Sequence, residues 1–252
     1  MMLACVLAMA PAPALRAAPA AHAANNAASL SAITRDYAQL LRTRVRDGRV
    51  DYAGLRARDR AKLGGVLDRM AMVDDSALPP RQQLAFRIDL YNATVLAAVC
   101  DRYHAGYSVA EKDYALFHAP LVRRPGGRMT LDSLEKAYIR NIYKDPRVHA
   151  ALCCAAVSCP PLAANAYLAM PVDSALDANM RRFVTDPARN TIDVRAKKLV
   201  LSHIFDWYAD DFGGAAAVPA AIERWSGTPV RGFAVTFRDY DWALNDAAAP
   251  PR

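Results

Sequence analysis

Residues 84–103 constrain the fold more than any other stretch. They run for twenty positions without proline or glycine, and wound at 3.6 residues per turn they put apolar side chains on most faces. A helix of that kind cannot lie on a surface with one side wet. It must be central, and the rest of the chain must wrap around it. Pro79-Pro80 breaks the chain just before it, and Pro80 suits a first helical turn, where no N–H is needed. Two amphipathic helices come earlier. Leu30, Ile33, Tyr37, Leu40, Leu41 and Val45 recur at helical spacing up to Asp47-Gly48, and Leu63, Val66, Leu67 and Met70 repeat the pattern within 55–72.

After the central helix the pattern shortens. Arg124-Pro125-Gly126-Gly127, between 114–122 and 128–130, reads as a hairpin turn. Thr130 can cap a helix over 131–143 that carries Asp132 and Glu135 in its first turns and ends at Asp145-Pro146. Residues 148–157 form an apolar run that suits a buried strand or a helix equally, and Cys159-Pro160-Pro161 can continue neither. A helix over 172–184, a hairpin of 191–194 with 199–202, an aromatic helix over 205–212, a short helix over 219–225 and a strand over 233–237 follow. Helices first and short β pieces later, without strict alternation, predict the α+β class: a helical N-terminal part packed on a small antiparallel sheet.

Composition excludes several classes. The 252 residues suit one domain, and 54% hydrophobic with 23% charged residues is globular. No uncharged apolar run of about 18 residues occurs beyond the extreme N-terminus, which excludes a multi-span membrane protein. No repeat of about 20–50 residues is visible, which excludes solenoids and propellers. The net charge of +7 is spread along the chain and lacks interleaved aromatics, so it predicts a solvated basic face and no nucleic-acid partner.

The N-terminus reads as an address. Ten apolar residues, an Ala/Pro-rich stretch and Ala21-His22-Ala23 resemble a secretory signal cut after Ala23, although no positive residue precedes the run. The expected organisation is a signal peptide at 1–23, a helical lead-in at 24–49, one domain at 50–245 and a disordered tail at 246–252. Such a protein is periplasmic or secreted, with no stable membrane insertion once the signal is removed.

Export makes the cysteines informative. Cys5 leaves with the leader, and Cys153, Cys154 and Cys159 crowd into seven residues beside His149. That is a local constellation, not a framework for distant loops. Its spacing is not the two-residue knuckle of structural zinc sites, so no metal is expected, and no cofactor. His149 and Cys154 lie five apart, which lets them meet only if the chain bends between them. An imidazole beside a thiol draws off its proton and makes a nucleophile, and a carboxylate must orient that imidazole. Glu135 is the nearest upstream candidate. On spacing alone, a core cysteine, a satisfied core histidine and a surface glutamate explain the same residues.

Several stretches occur together in one order: Ile88-Asp89-Leu90-Tyr91-Asn92-Ala93, Leu131-Asp132-Ser133-Leu134-Glu135, Lys144-Asp145-Pro146-Arg147-Val148-His149, Ser158-Cys159-Pro160-Pro161-Leu162, Leu201-Ser202-His203-Ile204-Phe205-Asp206-Trp207-Tyr208, Asp211-Phe212-Gly213 and Tyr240-Asp241-Trp242-Ala243-Leu244-Asn245. In these the chain, over roughly 50–245, resembles the domain-of-unknown-function-547 family. The resemblance implies a papain/transglutaminase-like core with a cysteine site in the order glutamate, histidine, cysteine, here Glu135, His149 and Cys154. Cys154 would attack a carbonyl as thiolate, His149 would be base and then acid, and Glu135 would fix the imidazole. Asn92 is either a polar group at the substrate or a buried amide tying helix to loop. Arg147, with Arg87 and Arg140, either rims the site and favours an acidic residue beside the bond that is cut, or simply solvates helix surfaces.

This chain has Phe86 and Asp89 where the family more usually has Trp and Asn, and Cys153 adds a second thiol beside Cys154. Cys159 is either a structural partner, in a disulfide or a buried contact, or the nucleophile itself. The expected activity is that of an exported cysteine peptidase or amidase acting on a peptide or amide substrate, with transglutaminase-like acyl transfer as a variant. The alternative is a binding or scaffold domain that keeps the fold without catalysis.

Overall fold

A computed structural model of the chain describes residues 19–248. Most of the expected signal segment, residues 1–18, and residues 249–252 of the expected tail lie outside the described residues.

The central helix is Pro80–Arg102, and its seventeen residues 84–100 are all buried. Burial on every face forces its polar residues to find partners inside the protein. Thr94 donates to the Leu90 carbonyl, Arg87 pairs with Asp75, and Asp89 accepts the N–H groups of Tyr167 and Leu168. Around it pack the helix Arg60–Met70, the helical stretch 131–143 and the helix Val172–Thr185, with Pro19–Arg44 behind Arg60–Met70. Thr130 caps the 131–143 stretch, its Oγ1 accepting from the Ser133 N–H at 3.0 Å.

Helices dominate and the sheets are small, an α+β architecture. Val45–Arg46 pairs with Arg49–Val50, and Val122–Arg124 with Gly127–Met129, both antiparallel. The third sheet has Lys198–Ser202 at its centre, antiparallel to Thr191–Asp193 but parallel to Ala234–Arg238. The expected all-antiparallel sheet is therefore mixed. The helices between residues 202 and 234 carry the chain back to the end it left, as a parallel pair requires. The expected strand over 114–122 is likewise mostly helical, Glu111–His118, and the strand starts only at Val122. Pro120 restricts Ala119 before it, which stops the helix there.

Two apolar clusters fill the interior. The larger surrounds the central helix, and the smaller, around Phe183, Phe205 and Trp225, lies under the three-stranded sheet. They meet at the short helix Val148–Ala151, where Ala150 packs into one and Ala151 into the other.

The C-terminal segment runs as a strap between two distant loops. The Asn245 carbonyl accepts from the Val50 N–H, the Asn245 N–H donates to Ala155 O, and the Val157 N–H donates to Ala243 O. Asp246 is buried and accepts the Tyr103 hydroxyl at 2.6 Å. At the tip of the first hairpin Gly48 sits at φ +82° and lies so close to Pro161 that any Cβ would run into it. Among the described residues, no helix is long and apolar enough to cross a membrane.

Candidate functional site

The chain bends between His149 and Cys154. The helix Val148–Ala151 ends at Leu152, which is extended at φ −87° and ψ 120°, and Ala155 then turns through φ +68°. Asn92 straddles the bend from the central helix. Its Nδ2 donates to the Ala151 carbonyl and its Oδ1 accepts from the Cys153 N–H, both at 2.9 Å. Asn179 donates to the neighbouring Ala150 carbonyl. Asn92 is 2% exposed with both ends of its amide occupied, so of the two readings the structure has the second. It is the buried amide that ties helix to loop, and it sets where His149 and Cys154 point.

Glu135, His149 and Cys154 all line one cavity of about 320 Å³, walled by aromatic rings that include Tyr114, Trp207, Tyr208, Tyr240 and Trp242. The His149 imidazole is buried and stacked on Tyr208, with ring centroids 4.1 Å apart. Its Nε2 lies 2.6 Å from Asp211 Oδ2, an oxygen that also accepts from Arg140 Nε at 2.8 Å. The hydrogen bond to His149, helped by Arg140, holds the Asp211 carboxyl well below the usual carboxylate range. Bonded to an ionised Asp211, Nε2 carries a proton, so in the neutral imidazole Nδ1 holds the lone pair.

The carboxylate in contact with the imidazole is thus Asp211, where the sequence reading expected Glu135. Glu135 sits in a π-helical segment, Leu134–Arg140, and its carboxyl oxygens face the hydroxyls of Tyr208 at 3.2 Å and Tyr91 at 3.4 Å. Burial raises its pKa, and the nearby His149 and Arg140 oppose that shift. Glu135 therefore reaches the imidazole through Tyr208, which it holds by the hydroxyl. Asp211 lies 62 residues beyond His149, and no local spacing links the two. Its only signal was membership of the Asp211-Phe212-Gly213 stretch.

Cys154 is joined to Cys159 by a disulfide, so of the two expectations for Cys159 the structure has the bonded partner. Cys154 is half-buried at the cavity wall, with Sγ 3.4 Å from the Tyr240 hydroxyl. Cys153 points the other way. It is buried as a free thiol beside Asn245, and burial pushes its pKa up.

The expected arginine rim is also corrected. Arg147 lies outside the cavity and pairs with Asp145, Asp173 and Asp177. Arg87 is buried against Asp75 and the Tyr138 carbonyl. Arg140 pairs with Asp211 and covers the Tyr208 ring at 4.6 Å. Each guanidinium is held by carboxylates of the chain itself, because the helices that bring it near the site also bring its partner. The cavity's own lysine, Lys136, is bound to Asp132 at 2.6 Å.

Residues 76–184 match the model of a family described as a protein of unknown function, DUF547. The match spans the central helix, Glu135, His149, Cys154 and Cys159, and stops before Asp211 and the aromatic wall of Trp207, Tyr240 and Trp242. No curated protein and no solved structure matches the chain.

Proposed function

We propose that this member of the DUF547 family is an exported cysteine hydrolase, with a papain/transglutaminase-like arrangement, that cleaves peptide or amide bonds through Cys154. The observation that carries the reading is the chain of contacts Asp211–His149 ending on the cavity that Cys154 faces. In the reduced protein His149 takes the Cys154 proton at Nδ1. The thiolate attacks the substrate carbonyl, and the imidazolium returns the proton to the leaving amine. His149 then deprotonates a water that releases the acyl group, and an amine in place of that water gives acyl transfer.

Asp211 keeps the imidazole in the required tautomer and offsets its charge. Tyr208 and Glu135 hold the ring from its stacked side. A disulfide at the site fits an oxidising compartment, in keeping with the signal-like N-terminus. The arginines give no ground for an acidic preference, while the aromatic wall suits an apolar or aromatic group beside the bond that is cut.

The test is digestion of a peptide library by reduced protein, wild type against Cys154→Ala. Cleavage is expected from the wild type and should fall by about three orders of magnitude or more in the variant. Cleavage that survives in Cys154→Ala removes the assignment. A wild type that binds peptides without cutting them, and whose Cys154 resists iodoacetamide at mildly acidic pH, supports the binding-domain alternative.

A further inference from the structure

We propose that the Cys154–Cys159 disulfide is a thiol-opened cap on the candidate nucleophile, with Cys154 the sulfur that a small thiol attacks and Cys159 the sulfur that leaves. The proposal deepens the hydrolase reading. It rests on that reading for its effect on activity, but not for its thiol chemistry.

The two sulfurs are unequal. Both reach the cavity wall, yet Cys154 keeps solvent exposure while Cys159 is 2% exposed. A thiolate entering from solvent meets Cys154 first. Leaving-group stabilisation points the same way. The Cys154 backbone N–H donates to Cys159 Sγ at 2.8 Å, a donor already aimed at the charge that forms when this sulfur departs. Arg189 adds a cation nearby, with Nε on the Cys159 carbonyl at 2.5 Å and Nη2 on the Val157 carbonyl at 2.9 Å.

The loop between the cysteines does not depend on the bond for its shape. The Cys159 N–H donates to Ala156 O, the Val157 N–H to Ala243 O, and Ala155 O accepts from Asn245. Breaking the disulfide therefore frees Cys154 at the cavity that His149 also lines, with the fold kept.

The exchange balances. A thiolate of a small monothiol such as glutathione bonds to Cys154 Sγ, the protein S–S bond breaks, and Cys159 takes the electron pair and a proton. A second thiolate attacks the small-molecule sulfur of this mixed disulfide. It releases the small-molecule disulfide and leaves Cys154 as a thiolate, whose proton rests on His149. Two thiols are oxidised and one protein disulfide is reduced.

The test is a short glutathione pulse on the full oxidised chain, quenched with acid, alkylated and mapped by fragmentation mass spectrometry. Glutathione should appear on Cys154 with the alkyl group on Cys159, by at least tenfold over the reverse. In separate variants exposed to oxidised glutathione, Cys154 of Cys159→Ser should be modified at least tenfold faster than Cys159 of Cys154→Ser. Glutathione on Cys159 first or equally, or a pre-reduced wild type that keeps both thiols free in oxidised glutathione, overturns the proposal. The wild-type pulse decides even where a variant does not fold.

Peptide hydrolysis is read in parallel. It should need a reductant in the wild type and none in Cys159→Ser. Full hydrolysis by the oxidised wild type overturns the cap. Selective glutathione on Cys154 with no hydrolysis in any form supports the exchange chemistry and removes the hydrolase reading.

Discussion

Asn92→Ala isolates the contact that sets the site. The wild-type amide joins two buried backbone groups, the Ala151 carbonyl and the Cys153 N–H, on either side of the bend that separates His149 from Cys154. Alanine leaves both without partners. An orphaned buried polar group costs roughly 1–3 kcal/mol, so the pair costs about 2–6 kcal/mol, with about 0.5 kcal/mol more for the small void. A central figure of about 4 kcal/mol is a large share of the roughly 5–15 kcal/mol that holds a domain together. At about 2–4 °C per kcal/mol for a chain of this size, melting should fall by roughly 8–16 °C. The assay is urea unfolding followed by tryptophan fluorescence, with calorimetry alongside.

Asn92→Asp is the control. One carboxylate oxygen still accepts from Cys153, while the other faces the Ala151 carbonyl and needs a proton to bond it. Burial beside that carbonyl raises the folded-state pKa of the new acid above its unfolded value. Its stability contribution is therefore present below about pH 4 and lost as pH rises through the folded pKa. The variant should approach wild type at pH 4 and fall away toward pH 7. A loss under about 1 kcal/mol for alanine, or a pH-insensitive aspartate variant, would refute the bridging role.

Two further outcomes follow from other contacts. Asp211→Asn should lower the turnover of reduced protein by about 10²–10⁴ with little change in melting temperature, because an amide lets the imidazole proton move to Nδ1; turnover within twofold of wild type removes Asp211 from the site. Asp89 is buried and its pKa is pushed up to about 7 by desolvation, although it accepts from the N–H groups of Tyr167 and Leu168. A raised folded pKa means stability present below the ordinary aspartate value and lost as pH rises through about 7. The wild-type urea midpoint should thus fall between pH 5 and 8 more than that of Asp89→Asn, and parallel profiles would contradict the shift.

What was legible in the sequence was local. The central helix follows from a run with no wet face, and the 131–143 helix from its Thr130 cap. That His149 and Cys154 can face each other only across a bend follows from the four residues between them. What stayed hidden depends on meetings across the fold. Periodicity says that residues 205–212 are aromatic and packed, but not that Asp211 ends against His149. The parallel strand pair depends on where the helices after residue 202 return the chain. Arg147 has Asp145 beside it in sequence, but Asp173 and Asp177 reach it from a separate helix. Glu135 lines the cavity but faces Tyr91 and Tyr208 and not the imidazole, since chain order carries no distance.

The C-terminal strap has a consequence for the order in which the protein can be made. Tyr52 bonds Asn245 across 193 residues, and the Cys154 loop takes two of its backbone partners from Ala243 and Asn245. Closing so long a loop is slow and comes late. A chain growing from its N-terminus therefore displays Glu135, His149 and the cysteines well before Tyr240 and Trp242 emerge to close the cavity wall. Until then the nascent site is an open groove with a loosely held thiol pair, so whatever chemistry it performs belongs to the finished chain.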